Sequence, residues 1–333
     1  MKQEINKIAI VRLSALGDIV NSAVVLQFIK YSYPHATIDW ITEENFAPIL
    51  QHNPEIENLY PINIKRIKKE KSFTLLRELI AHLSHLGQYD LVIDMQGLIK
   101  SAVVSRLISK NTHGFDKNST RESLASLFYK TSSSIAYEEN VVKRNCFIVA
   151  DALGIAITDK MLLNKKAIFP ITKNYELRHD KKNIAFVIGA SWPSKIYPKE
   201  LVTEVCNNLQ EQVYLIWGNT KEKEEAEWIA AHSEYAALAP KMALDELVSF
   251  ISHVDLLIGN DTGPTHIAWA QNIPSITLLG PTTTRMIYET PKNIGIKSPS
   301  TVNILKIDKK DFSIKKITPE EIVQKTKDLL CNL

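Results

Sequence analysis

Short hydrophobic runs alternate along this chain with longer segments in which apolar positions recur at helical spacing. Four runs of mostly aliphatic and β-branched residues predict strands in the first half: KIAIVRL (7–13), ATIDWIT (36–42), NLYPI (58–62) and YDLVIDM (89–95). The segments 20–31 and 73–86 between them have the periodicity of amphipathic helices. Apolar strands that alternate with helices predict an α/β fold with a parallel sheet covered on both faces.

The same alternation starts again near residue 183. The further strands are predicted at NIAFVIG (183–189), QVYLIWG (212–218), VDLLIGN (254–260) and SITLLG (275–280). A polar stretch without periodicity, 155–180, separates the two cycles and predicts an interdomain connection. We therefore expect two doubly wound domains, at 1–165 and 166–317, with a ligand cleft at the carboxyl ends of both sheets.

The end of the chain carries a helix signal of its own. Thr318 suits an N-cap, Pro319 suits the first helical position, and two acids follow in the first turn. We expect 318–333 to form a C-terminal helix that can pack back on the N-terminal domain.

The bulk composition narrows the class of protein. With 45% hydrophobic and 23% charged residues among 333, the chain is typical of a soluble globular protein. Its three cysteines are far apart and its N-terminus has no secretion signal, so we expect a reducing, cytoplasmic location. The net charge is +3, and residues 1–166 carry a net of +4, which favours an anionic partner. No nucleic-acid-binding signature is present, and we expect no nucleic-acid partner.

The first strand–helix turn carries a carboxylate, Asp18, directly after Gly17. An acid at this place caps the helix, or it faces a ligand at the carboxyl end of the sheet, and the two roles are compatible. The turn matches neither G-x-G-x-x-G nor G-x-x-x-x-G-K-[ST], which counts against dinucleotide binding and P-loop chemistry.

A second polar strand exit stands in the sequence LLIGNDTGPTHIAWA (256–270). Small residues at a helix N-terminus present free backbone N–H groups, which suit a diphosphate. Asp261 suits sugar hydroxyls or an N-cap, and Lys195 in the turn after 183–189 suits a leaving diphosphate. The alternatives are an ordinary capped helix with a core histidine and a solvated loop lysine.

Basic segments are concentrated in the first half. IKRIKKEK (64–71) holds five Lys/Arg with one Glu, and further cations lie at strand exits in 90–102 and in 112–130. Each segment alone is typical of a solvated loop, but three in one half favour an anionic acceptor.

Taken together, these motifs resemble the lipopolysaccharide heptosyltransferases. The resemblance rests on Ser14–Asp18, DMQGLIKSA (94–102), TRESLASLFYK (120–130), Lys195 before an aromatic-Pro pair, PKM (240–242) and DTGPTH (261–266). It implies a GT-B fold of two Rossmann-like domains, the first for the acceptor and the second for the nucleotide-sugar. It also implies an inverting, metal-independent transfer, without a cofactor, from ADP-L-glycero-β-D-manno-heptose to the Kdo of Kdo2-lipid A.

The resemblance assigns roles to individual positions. Asp18 takes the position of the general base, and Lys195 that of the lysine that stabilises the leaving diphosphate. The donor-binding positions are Ser191, Lys195, Glu222, Met242, Asp261, Thr262, Gly263 and His266. The acceptor-binding positions are Lys65, Arg66, Gln96, Lys100 and Arg121. The turn before Lys195 departs from the family pattern, because only Ser191 keeps a hydroxyl where two are common and Trp192 has no assigned role.

Other functions on the same scaffold stay open at this point. They are the branch of the family that adds the second heptose, a nucleotide-sugar epimerase, and a two-domain sugar-binding protein of the periplasmic type. The lipid acceptor implies peripheral contact with the cytoplasmic face of the inner membrane.

Overall fold

The computed structural model of this protein describes residues 5–331, which form two compact units. The first unit ends at Ile168 and the second begins at Phe169, inside the polar stretch 155–180. Part of that stretch is helical rather than irregular, since a short helix spans Asp159–Leu163. No helix in the described part of the chain has the length and apolarity that a membrane span requires.

The first unit is built on a parallel sheet. Its strands are β1 Lys7–Val11, β2 Thr37–Glu43, β3 Asn58–Ile62, β4 Leu91–Asp94, β5 Thr112–Phe115 and β6 Thr131–Ser133. Its α-helices are α1 Leu16–Ala23, α2 Val25–Ser32, α3 Ile64–Glu70, α4 Phe73–Ser84, α5 Ile99–Ile108, α6 Val141–Leu153 and α7 Asp159–Leu163, and 3-10 helices span Glu44–Ile49 and Ser123–Phe128.

The second unit repeats this plan. Its strands are β7 Asn183–Val187, β8 Gln212–Ile216, β9 Ala236–Leu238, β10 Leu256–Asn260, β11 Ser275–Leu279 and β12 Asn293–Lys297. Its α-helices are α8 Lys199–Leu209, α9 Thr220–Ala231, α10 Leu244–Ile251, α11 Gly263–Ala270 and α12 Pro319–Cys331, and 3-10 helices span Pro193–Lys195, Thr284–Met286 and Ser313–Lys316.

Both sheets have the strand order 3-2-1-4-5-6 when strands are numbered within their own unit and the second sheet is followed from its β9 edge. The first runs β3-β2-β1-β4-β5-β6 and the second runs β12-β11-β10-β7-β8-β9, with every pair parallel. The chain reverses its direction of winding between β1 and β4 in the first sheet, and between β7 and β10 in the second. At such a switch point the helices on either side diverge, so the carboxyl ends of the two central strands are open to ligands.

The hydrophobic core of each unit explains why the two central strands of its sheet have continuous apolar sequences. In the first unit, β1 and β4 contribute Ala9, Val11 and Val92 to a cluster closed by Leu83 of α4 and Val104 of α5. The central strands of both sheets are covered on both faces, so they cannot show the alternation of a half-exposed strand.

The final helix belongs to the core of the second unit. Helix α12 packs on α8, and its Ile322, Val323 and Leu329 join the same cluster as Phe186 of β7 and Ile258 of β10. The helix predicted at the end of the chain is present at Pro319–Cys331. Within the described residues this helix packs on elements of the second unit, and packing on the first unit stays a prediction.

The remaining differences have local causes. The single helix expected at 20–31 is two helices, α1 and α2, which break at Val24. Strands β5, β6, β9 and β12 were missed because they are three to five residues long and carry little hydrophobic pattern. The basic segment 64–71 forms helix α3 rather than a loop, begun by Asn63, whose side chain accepts a hydrogen bond from the Arg66 amide.

Candidate active site

A cluster of polar side chains lies at the switch point of the first sheet. We call it the N-terminal cluster, and its members are Arg12, Ser14, Asp18, Glu43, Gln96 and Lys100. They follow β1, end β2 or follow β4, and the parallel pairing of these strands brings their carboxyl ends to one edge.

Asp18 is held in place by two donors but is not enclosed. Its Oδ1 lies 3.0 Å from Nη2 of Arg12, and its Oδ2 accepts a hydrogen bond of 3.2 Å from the Ala15 amide. The side chain keeps 32% of its surface exposed. Both contacts fix the direction of the carboxylate, and its exposed part leaves lone pairs accessible to the proton of an incoming hydroxyl.

Arg12 is the buried member of this pair. It is 8% exposed, and its Nη1 donates to the backbone oxygen of Met95, which follows β4. Its Nε is buried and has no hydrogen-bond partner within the described residues. A charge this deeply buried is stable only beside a counterion, so Arg12 and Asp18 form a unit.

A hydrogen-bonded chain connects the loop after β1 to the start of α5. The Gln96 side chain accepts from the Leu13 amide at 2.8 Å and donates to Ser14 Oγ at 3.3 Å. Lys100 Nζ donates to the same hydroxyl at 3.2 Å. The backbone of Gln96 is also held in place, since its N–H donates to Oδ1 of the buried Asp94 at 2.8 Å. Burial raises the pKa of Asp94, whose other oxygen accepts from a tyrosine hydroxyl.

Glu43 closes the N-terminal cluster from the end of β2. The side chain is buried, and its neighbours are the cations of Lys100 and Lys65 and the backbone amides of Ile64 and Lys65. Burial raises the pKa of the Glu43 carboxyl, and the two lysines offset this only in part. The Glu43 carboxyl, at the end of β2, thus lies near groups from the start of α3 and the start of α5.

We expect Glu43→Gln to stabilise the folded protein at alkaline pH. Because the folded pKa of Glu43 is raised, its ionisation costs folding free energy as pH rises through that pKa, and glutamine does not ionise. The difference in unfolding free energy between variant and native protein should therefore increase from pH 4 to pH 8. Urea denaturation at both values measures it. A variant that is relatively less stable at pH 8 would contradict the burial argument.

Two of the predicted acceptor residues lie away from these contacts. The exposed Arg66 pairs with Glu70 on its own helix, at 2.9 Å. Arg121 is exposed, and its two neighbours tie its loop to the start of α5. Thr120 donates to the Gly97 carbonyl, and Glu122 accepts from the Ile99 amide. Arg121 thus stands beside the helix that carries Lys100, and within residues 5–331 no hydrogen bond or ion pair joins it to the N-terminal cluster.

The second sheet holds a buried charge cluster at its own switch point, which we call the C-terminal cluster: Lys195, Asp261 and His266. Lys195 Nζ lies 2.7 Å from Asp261 Oδ2, and His266 Nε2 lies 3.2 Å from Asp261 Oδ1. All three side chains are nearly fully buried. Burial opposes ionisation of Asp261, but the charge of Lys195 and the hydrogen bond from His266 outweigh it and hold the pKa of that carboxyl far below its usual range.

The N-terminus of α11 lies directly beside this cluster. Within residues 5–331, the backbone N–H groups of Thr262 and Gly263 have no hydrogen-bond partner, because the helix begins at Gly263. Asn260 fixes the turn from below: its side chain donates to the Ile188 carbonyl at 2.9 Å and accepts from the Tyr197 amide at 3.0 Å. Unpaired backbone N–H groups at the positive end of a helix, together with a neighbouring lysine, can bind a phosphate.

Glu222 lies at the neighbouring strand exit. Its carboxylate accepts from the Gly218 amide at 2.6 Å and from the Asn219 side chain at 2.7 Å. It packs against Gly189 so closely that a Cβ there would lie 2.4 Å from the Glu222 carboxyl carbon. The segment that contains Met242 is tied to the same turn, since Lys241 Nζ donates to the Gly218 carbonyl. Met242 itself is half-buried.

The turn before Lys195 contains Trp192, a residue to which the sequence analysis assigned no role. Lys195 Nζ lies 5.2 Å from the centre of the Trp192 ring, and Lys309 Nζ lies 4.8 Å from it. Two cations on one indole bring positive charge to the turn by cation–π attraction. Ser191, one of the predicted donor residues, is exposed next to this tryptophan.

Comparison with known proteins identifies the family. The model of glycosyltransferase family 9 (heptosyltransferase) matches residues 77–317. The chain belongs to glycosyltransferase family 9. A lipopolysaccharide heptosyltransferase 1 of Campylobacter coli is 40% identical over 97% of this chain and 98% of its own length. Another, of Pseudomonas aeruginosa, is 30% identical over 83% of this chain and 79% of its own length.

Solved structures agree. Escherichia coli heptosyltransferase WaaC with ADP-2-deoxy-2-fluoro heptose matches 97% of this chain and 99% of its own, with a TM-score of 0.79 and 26% identity. The GT-B fold and the glycosyltransferase family predicted from the motifs are thereby confirmed.

Two members of the N-terminal cluster of this family 9 protein were not predicted as site residues from the sequence. Arg12 and Glu43 are charged residues at the carboxyl ends of apolar strands, where a solvated charge is expected by default. The signal available was position, because both precede a strand–helix connection in a doubly wound sheet. Only the strand order shows that β1, β2 and β4 are neighbours and that these charges meet.

Proposed function

We propose that this family 9 glycosyltransferase transfers L-glycero-D-manno-heptose from ADP-heptose to the Kdo of Kdo2-lipid A, in synthesis of the lipopolysaccharide inner core. The observation that carries the proposal is the match to a heptosyltransferase 1 over nearly the full length of both chains. The E. coli structure with an ADP-heptose analogue supports an ADP-linked donor.

Asp18 is the general base in this proposal. A sugar hydroxyl is a weak nucleophile at neutral pH, and a carboxylate within about 3 Å that takes its proton accelerates the attack by roughly 10²–10⁴-fold. Arg12 and the Ala15 amide hold Asp18 so that the rest of its surface stays accessible. Attack opposite the leaving ADP inverts the anomeric carbon in one step, so one carboxylate suffices.

The acceptor is anionic, and the cations of the first unit suit it. Lys100 and Lys65 flank Glu43, and Arg121 lies beside the start of α5. Gln96 presents its amide next to Ser14 in the same network. Cations with neutral hydrogen-bond donors between them match the carboxylates and hydroxyls of acidic sugars.

The donor diphosphate is assigned to the second unit. When the glycosidic bond to ADP breaks, negative charge develops on the diphosphate. The free amides of Thr262 and Gly263 and the ammonium of Lys195 stabilise that charge. Asp261 and His266 face the sugar, while Glu222 and Met242 take the ribose and the adenine.

The test is a transfer assay with alternative donors and acceptors. We expect turnover with ADP-heptose but not with UDP- or GDP-sugars, with Kdo2-lipid A but not with its heptosylated form, and in the presence of excess EDTA. Preference for the heptosylated acceptor would assign the chain to the second-heptose branch. An altered donor without any acceptor would instead indicate an epimerase.

Gly189→Ala tests the role of Glu222 without touching the carboxylate itself. The new methyl group would displace the flexible end of Glu222, so we expect the Kd for ADP to rise about tenfold, the cost of one lost hydrogen-bonded contact. Calorimetric titration with ADP measures it. The double variant Gly189→Ala/Glu222→Ala should bind no more weakly than Glu222→Ala alone. Additive losses would place the effect of Gly189 elsewhere.

A further inference from the structure

The first unit exposes large apolar side chains on one group of elements. Nine such side chains are exposed among its described residues, and six of them lie on α4, at the start of α5 and on the 3-10 helix Ser123–Phe128. They are Phe73, Leu76, Ile80, Ile99, Leu124 and Leu127. Helix α5 packs on both of the other elements, so the six belong to one side of the unit's architecture. Exposed apolar groups gathered in this way mark an interaction surface.

The spacing of these residues gives each element one apolar side. Phe73, Leu76 and Ile80 are three, four and seven residues apart on α4, which places them on one stripe of the helix. Leu124 and Leu127 are three apart in a 3-10 helix, where residues at that spacing lie above each other. Phe73 and Leu127 are each more than three-quarters exposed.

The same region is strongly basic. Residues 64–84, which comprise α3 and α4, contain six Lys/Arg and two Glu, a net charge of +4 that exceeds the +3 of the whole chain. No residue of α3 is buried, and Lys68 and Lys69 are exposed without an ion-pair partner among the described residues. Apolar side chains bordered by lysines are the pattern of a helix that lies in the interface of an anionic membrane.

We propose that α3, α4 and the 3-10 helix Ser123–Phe128 form a docking surface for a bilayer of anionic phospholipid. The apolar side chains enter the headgroup boundary and the lysines of α3 contact the lipid phosphates. The purpose of such docking rests on the proposed function, in which the acceptor is a lipid. Lys65, on α3, flanks Glu43 of the N-terminal cluster. A lipid-borne acceptor would then reach the cluster from the membrane to which α3 is bound.

Vesicle co-sedimentation of the full chain tests the surface without any substrate. We expect binding to vesicles of phosphatidylglycerol and phosphatidylethanolamine in equal parts, weakening with salt, and little binding to phosphatidylcholine alone. Equal binding to both kinds of vesicle, or to neither, would overturn the proposal.

Paired substitutions locate the surface. Each should lower the partition coefficient on the anionic vesicles roughly tenfold or more: Phe73→Gln/Leu76→Gln, Leu124→Gln/Leu127→Gln and Lys68→Glu/Lys69→Glu. Matched controls replace exposed residues elsewhere and should bind like the native chain: Tyr31→Gln/Leu163→Gln and Lys325→Glu/Lys327→Glu. Thermal unfolding confirms that all five pairs fold. Native binding by all three test pairs, or equal loss in the controls, contradicts the assignment.

Transfer assays separate this inference from the proposed function. The test pairs should lose transfer to Kdo2-lipid A embedded in vesicles, yet keep the native rate on an acceptor freed of its acyl chains. If the native chain transfers heptose to neither acceptor but still binds anionic vesicles, the proposed function fails and the docking surface stands. If the test pairs transfer to the embedded acceptor at the native rate, the docking surface fails and the transferase stands.

Discussion

Asp18→Asn is expected to lower kcat by about 10²–10⁴-fold while the affinity for ADP stays within about twofold of native, because the variant lacks the proposed general base. Asparagine keeps the size of the side chain and can still accept from the Ala15 amide, but it cannot take a proton. Steady-state transfer rates and calorimetric titration with ADP measure the two quantities.

Asp90→Asn is the matched control for that variant. Asp90 accepts hydrogen bonds from the Asn6 and Lys7 amides at 2.8 and 2.9 Å, at the amino end of β1 and so at the opposite edge of the sheet from Asp18. Its replacement should leave transfer near the native rate. Equal losses in the two variants, or native turnover by Asp18→Asn, would remove the base assignment.

Lys195→Met should have the second large effect, on stability as well as on activity. Removal of one partner from a buried ion pair leaves the other charge without compensation, which costs about 3–5 kcal/mol in unfolding free energy. Loss of the cation proposed to stabilise the diphosphate should also lower kcat by about 10²–10³-fold. Urea denaturation and initial rates measure the two losses.

The double variant Lys195→Met/Asp261→Asn separates these losses. With no charge left to compensate on Asp261, most of the unfolding free energy should return, while transfer should stay as low as in Lys195→Met alone. Activity that recovers together with stability would mean that Lys195 only supports the fold.

The sequence was sufficient for the strands that are continuous apolar runs. The central strands β1, β4, β7 and β10 lie within the predicted runs because they are buried on both faces and cannot be read as anything but apolar. Short edge strands such as β6 were missed, since three residues with one buried side chain carry no usable pattern.

The candidate site was predictable where chemistry and local geometry coincide. Asp18 lies in the first turn of the helix after β1 and Asp261 directly follows β10, and polar residues at such strand exits are visible in the sequence. The sequence does not show which of the site side chains contact one another. That Lys195 and Asp261 form a buried ion pair depends on β7 and β10 being neighbours, and strand order is a property of the whole sheet.

The identical strand order of the two sheets has an evolutionary consequence. Each cluster is assembled from connections at the centre of its own sheet, and under the proposed function the two clusters serve different substrates. Under that proposal, a lineage that changes the sugar it extends and one that changes its activated sugar would mutate separate halves of one gene.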